Sequence, residues 1–337
     1  MGNGQRRKFL LASSALLAAP FARAQQTSKT RILGVLSVGT RPTPEQIARS
    51  PVFARLRELG WIEGQNLAVE RFYAEGRADR LPEIVAELIN RRPDVIWTTN
   101  PDAAIAAARA TTTIPIVFWS VGFPIEQGLI DSFARPGRNC TGVAFFTGAE
   151  IYGKQIQFVQ EIVPGVKRLA WLRSADTSRT VAGGVYREGA GLILESAVKT
   201  LGLELRQYWV DKPDDFDAAF NAMLNFRAQA FGVPINDLTW RHRQLLVEFA
   251  IRNRLPSTYA FSGFVEAGGL ISYGPDQLAM AVQSISYVDK ILRGAKPGEL
   301  PVEMPSRYDL VINLKTAKLL GLTAPQSLLL RADRVVE

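Results

Sequence analysis

The chain has 337 residues, with 40 Lys and Arg against 32 Asp and Glu, one His and one Cys. A single cysteine excludes a disulfide framework within the chain, and a single histidine removes the commonest zinc sites and catalytic triads. The formal charge of +8 is spread along the sequence with no run of five bases, which is not a nucleic-acid-binding pattern.

At the N-terminus, Arg6, Arg7 and Lys8 precede the apolar run Phe9 to Ala22. Ala22-Arg23-Ala24 then places small residues at the two positions a signal peptidase reads. Residues 1–24 are therefore expected to be a cleaved secretory signal, too short to span a membrane. Arg6-Arg7-Lys8-Phe9-Leu10 fits a twin-arginine signal, with general export as the alternative. Gln25 stands where a lipoprotein would need cysteine, so a periplasmic mature chain without a lipid anchor is expected. No later apolar stretch reaches about 18 residues, so no membrane insertion is expected after cleavage.

Past the signal, short apolar runs alternate with helical patterns. Strands are expected at Arg31 to Ser37, Leu67 to Phe72, Val95 to Thr98 and Ile114 to Trp119. Helices are expected at 44–59, Asp79 to Arg91 and Ala103 to Ala110. A further strand runs from Gly142 to Phe146. The alternation restarts at Arg168, with strands at Arg168 to Leu172, Glu204 to Val210, Gln229 to Val233 and Pro256 to Tyr259. Helices at 184–201, Phe216 to Phe226 and Trp240 to Asn253 separate them. Leu270 to Tyr273 (strand), 276–292 (helix), Tyr308 to Asn313 (strand) and Leu314 to Leu320 (helix) complete the chain.

Two successive βα runs imply two α/β lobes with parallel central sheets and right-handed crossovers. The tail is expected to return across both lobes, giving three crossing segments. Lobe one is placed at 30–145 plus 265–300, and lobe two at 146–264 plus 301–337.

Gly148-Ala149-Glu150-Ile151-Tyr152-Gly153-Lys154-Gln155 matches the first seven residues of a Walker-A loop. Gln155 replaces the hydroxyl that would hold Mg²⁺, so the segment reads as a helix start with a solvated Lys154. No G-x-G-x-x-G or G-x-S-x-G motif follows a strand. His242, in Arg241-His242-Arg243, reads as a surface residue, and Cys140 as a small core residue. No catalytic residue, metal site or cofactor is expected.

Open α/β sheets bind ligands at the C-terminal ends of their strands. Polar and aromatic residues gather at those ends here: Ser37 and Thr40 after the first strand, Thr99 and Asn100 after the third, Ser120 and Phe123 after the fourth. In the second half, Asn236 and Asp237 follow one strand, and Tyr259, Phe261 and Phe264 follow the next. Asp237 has an alternative reading as the N-cap of the following helix. From these residues the expected ligand set is Ser37, Thr40, Asn100 and Ser120 as hydrogen-bond partners from lobe one. Asn236 and Asp237 act from lobe two, and Phe123, Tyr259 and Phe264 form apolar walls.

Leu59-Gly60-Trp61-Ile62-Glu63-Gly64-Gln65-Asn66 resembles a signature of the TrpX-like ABC transporter substrate-binding protein family. Ala74-Glu75-Gly76, Pro136-Gly137-Arg138-Asn139, Ala267-Gly268-Gly269-Leu270-Ile271-Ser272-Tyr273-Gly274 and, in the tail, Gly294-Ala295-Lys296-Pro297, Leu300-Pro301-Val302-Glu303 and Val311-Ile312-Asn313-Leu314-Lys315-Thr316-Ala317 fit it too, in order along about the whole mature chain. The resemblance implies a type I periplasmic-binding-protein fold: two Rossmann-like lobes joined by a three-segment hinge around a ligand cleft. It implies capture of a small organic ligand, aromatic or amino-acid-like, by a monomer that delivers it to a membrane permease. The alternatives are a ligand-sensing module for a receptor and an enzyme using the same cleft. Phe123 precedes Pro124 where similar proteins often carry Asp, which puts an amino-acid ligand in doubt.

Overall fold

The structure, a computed structural model, describes residues 30–145, 149–173, 185–234, 236–305 and 307–337. The side chains of residues 149, 185–191, 193 and 237 are outside that description, as are residues 1–29 with the expected signal.

The first lobe runs β1 (Arg31–Ser37), α1 (Pro44–Arg49), α2 (Pro51–Glu58), β2 (Leu67–Tyr73), α3 (Leu81–Asn90), β3 (Val95–Thr98), α4 (Pro101–Ala110), β4 (Ile116–Val121) and β5 (Cys140–Ala144). Its strands form a parallel sheet in the order β2-β1-β3-β4-β5. Helices cover both faces, so the strands are apolar runs rather than alternating ones. Leu36, Ile96 and Phe118 face α3 and α4 on one side. Leu33, Val35, Trp97 and Val117 lie on the other.

The second lobe continues with α5 (Ala149–Ile162), β6 (Arg168–Arg173), α6 (Val185–Thr200), β7 (Glu204–Trp209), α7 (Asp215–Asn225), β8 (Ala230–Val233), α8 (Asp237–Arg241), α9 (Arg243–Arg252), β9 (Ser257–Tyr259), α10 (Ser262–Glu266) and β10 (Ile271–Pro275). After α11 (Gln277–Leu292), the chain ends with β11 (Tyr308–Asn313), α12 (Leu314–Leu319), α13 (Gln326–Leu329) and β12 (Arg334–Val336). The second sheet has the order β12-β11-β10-β9-β8-β6-β7. It is parallel except where β10 meets β11.

The returning tail divides differently from the expected boundary at 265. β10 pairs with β9 and β11, so residues 271–275 belong to the second sheet. α11 does return to the first lobe. Met280, Ile285, Val288 and Leu292 pack against its sheet, and Trp97 Nε1 donates to the buried Ser284 Oγ at 2.8 Å. The chain crosses between the sheets from β5 to α5, from β10 to α11, and between Glu303 and β11. On the third crossing Ala144 N donates to Glu303 O at 2.9 Å and Glu303 N to Gly142 O at 3.1 Å, covering the outer edge of β5.

Local chemistry explains other differences. The helix expected over 44–59 breaks at Ser50, whose extended backbone precedes Pro51. A proline disfavours helical conformation in the residue before it. The helix expected from Trp240 starts earlier, at Asp237, and breaks at His242 (φ −99°, ψ 19°). The loop that ends β2 folds back on the loop after β1, with Ala74 N donating to Ser37 O (2.9 Å) and Gly76 N to Val38 O (2.6 Å).

Candidate functional site

In the first sheet the strand order reverses at β1, which lies between β2 and β3. A crevice opens at the carboxyl ends of the strands at such a point. A cavity of about 310 Å³ lies there. Its floor comes from Ser37 at the end of β1 and Gly39 after it, Thr99 to Asp102 after β3, Trp119, Ser120 and Gly122 at the end of β4 and Phe145 after β5. Asn236 and Trp240 close it from the second lobe, and Gln277 reaches it from the second crossing.

Ser37, Thr99, Asn100 and Asn236 are held by local hydrogen bonds. Ser37 Oγ accepts from Gly39 N at 3.0 Å and from the Thr99 hydroxyl at 2.7 Å. Asn100 caps α4, its Oδ1 accepting from Ala103 N at 2.9 Å. Asn236 caps α8 in the same way, with Thr239 N donating to its Oδ1 at 2.9 Å and Asn236 N donating to Thr239 Oγ1 at 3.1 Å. The N-cap of α8 is thus Asn236, and Asp237 is the first residue inside the helix; its side chain is outside the described residues.

The apolar walls are Pro101, Trp119, Phe145 and Trp240. Trp119 Nε1 is buried with no hydrogen-bond partner among the described residues. β4 bulges immediately after it, and Ser120 takes φ +60° there. Positive φ is uncommon for a residue with a Cβ and clusters at ligand clamps. Trp240 stands edge-on to Phe264 (centroids 5.7 Å, 75°), and Phe264 stacks on Tyr259 (4.8 Å, 13°).

Of the expected ligand residues, Ser37, Asn100, Ser120 and Asn236 meet in this cavity. Others do not. Tyr259 and Phe264 have no exposed surface; they are core residues of the second lobe that back Trp240 rather than line the cleft. Thr40 is exposed on the loop beyond Gly39 and lines no part of the cavity, and Gly122 occupies the wall where Phe123 was expected. Phe123 is half-buried at φ +54°. Sequence reasoning missed Trp119, Phe145 and Trp240. The first two continue apolar strands and read as core, while Trp240 reads as one more helical residue.

The lobes also touch outside the cavity. Phe261, the N-cap of α10, packs on Phe145 (5.1 Å). Arg241 Nη1 donates to the Gly76 carbonyl at 2.6 Å, joining the two lobes. Gly76 has φ +79°, and a Cβ there would lie 2.5 Å from that nitrogen.

His242 and Cys140 stand apart from the cavity. His242 is half-buried against Phe216 (5.4 Å) instead of lying on the surface; burial, then the Arg241 charge, lowers its pKa. Cys140 is buried, and that burial pushes its thiol up to about 12. Among the described residues no group of His, Cys, Asp and Glu could hold a metal ion, and no helix is long and apolar enough to cross a membrane. Gly148 of the Walker-A-like segment is outside the described residues.

A family model described as ABC transporter substrate binding protein matches residues 45–336. The chain belongs to that family. A tyrosine-binding protein from Clostridioides difficile (strain R20291) is 21% identical over 296 residues, covering 88% of this chain and 82% of the relative. The crystal structure of a conserved domain protein from Vibrio cholerae is similar, with a TM-score of 0.80 at 27% identity, over 91% of this chain and 100% of that one. So is a Streptococcus pneumonia ABC domain in complex with L-Trp, at TM-score 0.81 and 24% identity with the same coverage. The substrate-binding protein thus has the two-lobed α/β architecture of type I periplasmic binding proteins, with its candidate site between the lobes. Proteins of this family bind small molecules and work with ABC permeases.

Proposed function

We propose that this substrate-binding protein captures a small aromatic or amino-acid-like molecule between its lobes and delivers it to a membrane permease without transforming it. The observation that carries this reading is a cavity walled by both lobes and by a crossing segment. Its volume of about 310 Å³ sits at the small end of ligand pockets, and its mixture of apolar walls with a few polar groups is the usual composition of one. Trp119, Phe145 and Trp240 suit a flat ring, consistent with the ligands named for the pneumococcal and clostridial relatives. Ser37, Asn100 and Ser120 orient the ligand from lobe one. Asn236, with Asp237 beside it, acts from lobe two.

The mature chain in this reading begins near Gln25, lies in the periplasm and acts as a monomer. The test is to purify the exported protein, denature it and identify the released small molecules by mass spectrometry. One stoichiometric molecule, absent from a Trp240→Ala preparation and recovered chemically unchanged after incubation, is expected. Conversion of that molecule by the purified chain would contradict a pure capture role.

A further inference from the structure

We propose that the outer edge of β2 docks an acidic, extended segment of a partner protein, which joins the first sheet as an added strand. The site is separate from the ligand cleft and shares no lining residue with it. β2 and β5 are the edge strands of that sheet. The edge of β5 is closed by the backbone of Glu303. β2 pairs with β1 over its whole length, and that pairing fixes what its other side shows. Arg31 N donates to Asn66 O and Ala74 N to Ser37 O, so the even-numbered residues here turn their backbone groups to β1. Val69, Arg71 and Tyr73 turn theirs outward.

Among the described residues no other strand covers those three. Instead, Arg41 Nη2 donates to Arg71 O at 3.1 Å, and Arg71 Nη1 reaches Val69 O at 3.4 Å. Guanidinium groups thus hold the places that the N–H groups of a neighbouring strand would take. Arg41 is exposed, so a strand entering there displaces a surface side chain and no packed element.

Two pockets flank this edge, one on each face of the sheet. One, of about 450 Å³, lies toward α3 and includes Glu70, Arg80, Glu87 and Arg91. The other, of about 170 Å³, lies toward α2 and includes Phe53, Leu56, Trp61 and Val69. Side chains of an added strand alternate between those faces, so every second one meets the charged pocket and those between meet the apolar one. The charge balance selects the sign. Arg41, Arg71, Arg80 and Arg91 line the larger pocket against Glu70 and Glu87. Arg71 is held by Glu63 (2.6 and 2.7 Å), and Arg91 pairs with Glu87 at 3.6 Å. Arg41 and Arg80 form no ion pair among the described residues, which leaves two guanidinium groups against the carboxylate of Glu70. An entering strand gives its N–H groups to the Val69 and Arg71 carbonyls and its carboxylates to the released guanidinium groups. In this mode the main chain supplies affinity and the alternate pockets supply selectivity. Charge on an edge strand deters chance pairing, and arginines deter basic and neutral strands while admitting an acidic one.

The probe is a peptide of about nine residues alternating Glu and Val, long enough to span the edge. Hydrogen exchange of the mature chain, read by mass spectrometry, should show added protection over residues 67–73 when the peptide is present. Fluorescence anisotropy of the labelled peptide should show affinity falling with salt. The same peptide with Lys for Glu should bind roughly tenfold more weakly or worse, and so should a fully N-methylated version, which keeps its charge but donates no main-chain hydrogen bond. Combining Arg41→Gln with Arg80→Gln should weaken the acidic peptide roughly tenfold and leave the melting temperature of the chain unchanged.

Absence of protection over 67–73 at millimolar peptide would overturn the proposal. So would an N-methylated peptide that binds as tightly as its parent, since that describes a patch for anions of any shape. A double variant that binds the acidic peptide like the wild type also contradicts it. Phosphatidylglycerol vesicles that protect these residues where the peptide does not would assign the edge to a lipid surface instead.

Discussion

Side chains at strand ends do different work according to which way the local backbone turns them. Asn100 and Asn236 look like ordinary helix caps, and they are; capping also aims their amides. Trp240 is the most exposed to test, since it is the aromatic wall supplied by the second lobe. Trp240→Ala should weaken ligand binding by roughly 2 kcal/mol, about thirtyfold, as expected for truncating an aromatic anchor. Trp240→Phe should retain most of the affinity, both measured by titration calorimetry. Cys140 supplies a check on the core. With its thiol pushed up to about 12 by burial, it should resist alkylation at pH 8 in the native chain and react fully in denaturant. His242 gives a pH signature. Its pKa is lowered in the folded chain, so as pH falls through the unfolded value near 6.5 the unfolded state takes the proton first and stability is lost. His242→Asn should flatten the fall in melting temperature below that pH.

Among the elements, strands were easier to read than breaks. β1, β3, β6 and β8 follow from apolar runs that both-face burial demands, and α4 and α7 from their spacing. The split at Ser50-Pro51 was written in the proline but overridden by helical periodicity. β10 could not be assigned to a lobe from sequence, because a buried strand carries no mark of the sheet it joins. The same silence hid Trp119 and Phe145, whose apolar character suits a core strand as well as a cleft wall, and it gave Tyr259 and Phe264 a place at the surface that packing denies them. Gly142 shows the reverse case. At φ +145° a Cβ would lie 1.9 Å from the Phe118 carbonyl, so β5 can approach β4 there only with glycine. Gly142→Ala should destabilise the chain by about 3 kcal/mol, read as a lowered denaturation midpoint.

At the scale of the whole molecule, function depends on two lobes whose relative position a ligand can shift only through better contacts in the closed state. The Arg241 bond to the Gly76 carbonyl favours closure without touching the cavity. Because Arg241 is exposed, its removal should cost only about 1 kcal/mol. Arg241→Ala should therefore weaken binding roughly fivefold, chiefly through faster dissociation in stopped-flow fluorescence. The central claim is that one small molecule draws the lobes together. Small-angle X-ray scattering tests it on the mature chain, stripped of ligand and then supplied with the molecule recovered from it. The account predicts a smaller radius of gyration on saturation, and a smaller response in Trp240→Ala at the same concentration. An unchanged scattering curve at a ligand concentration that calorimetry shows to be saturating would contradict it.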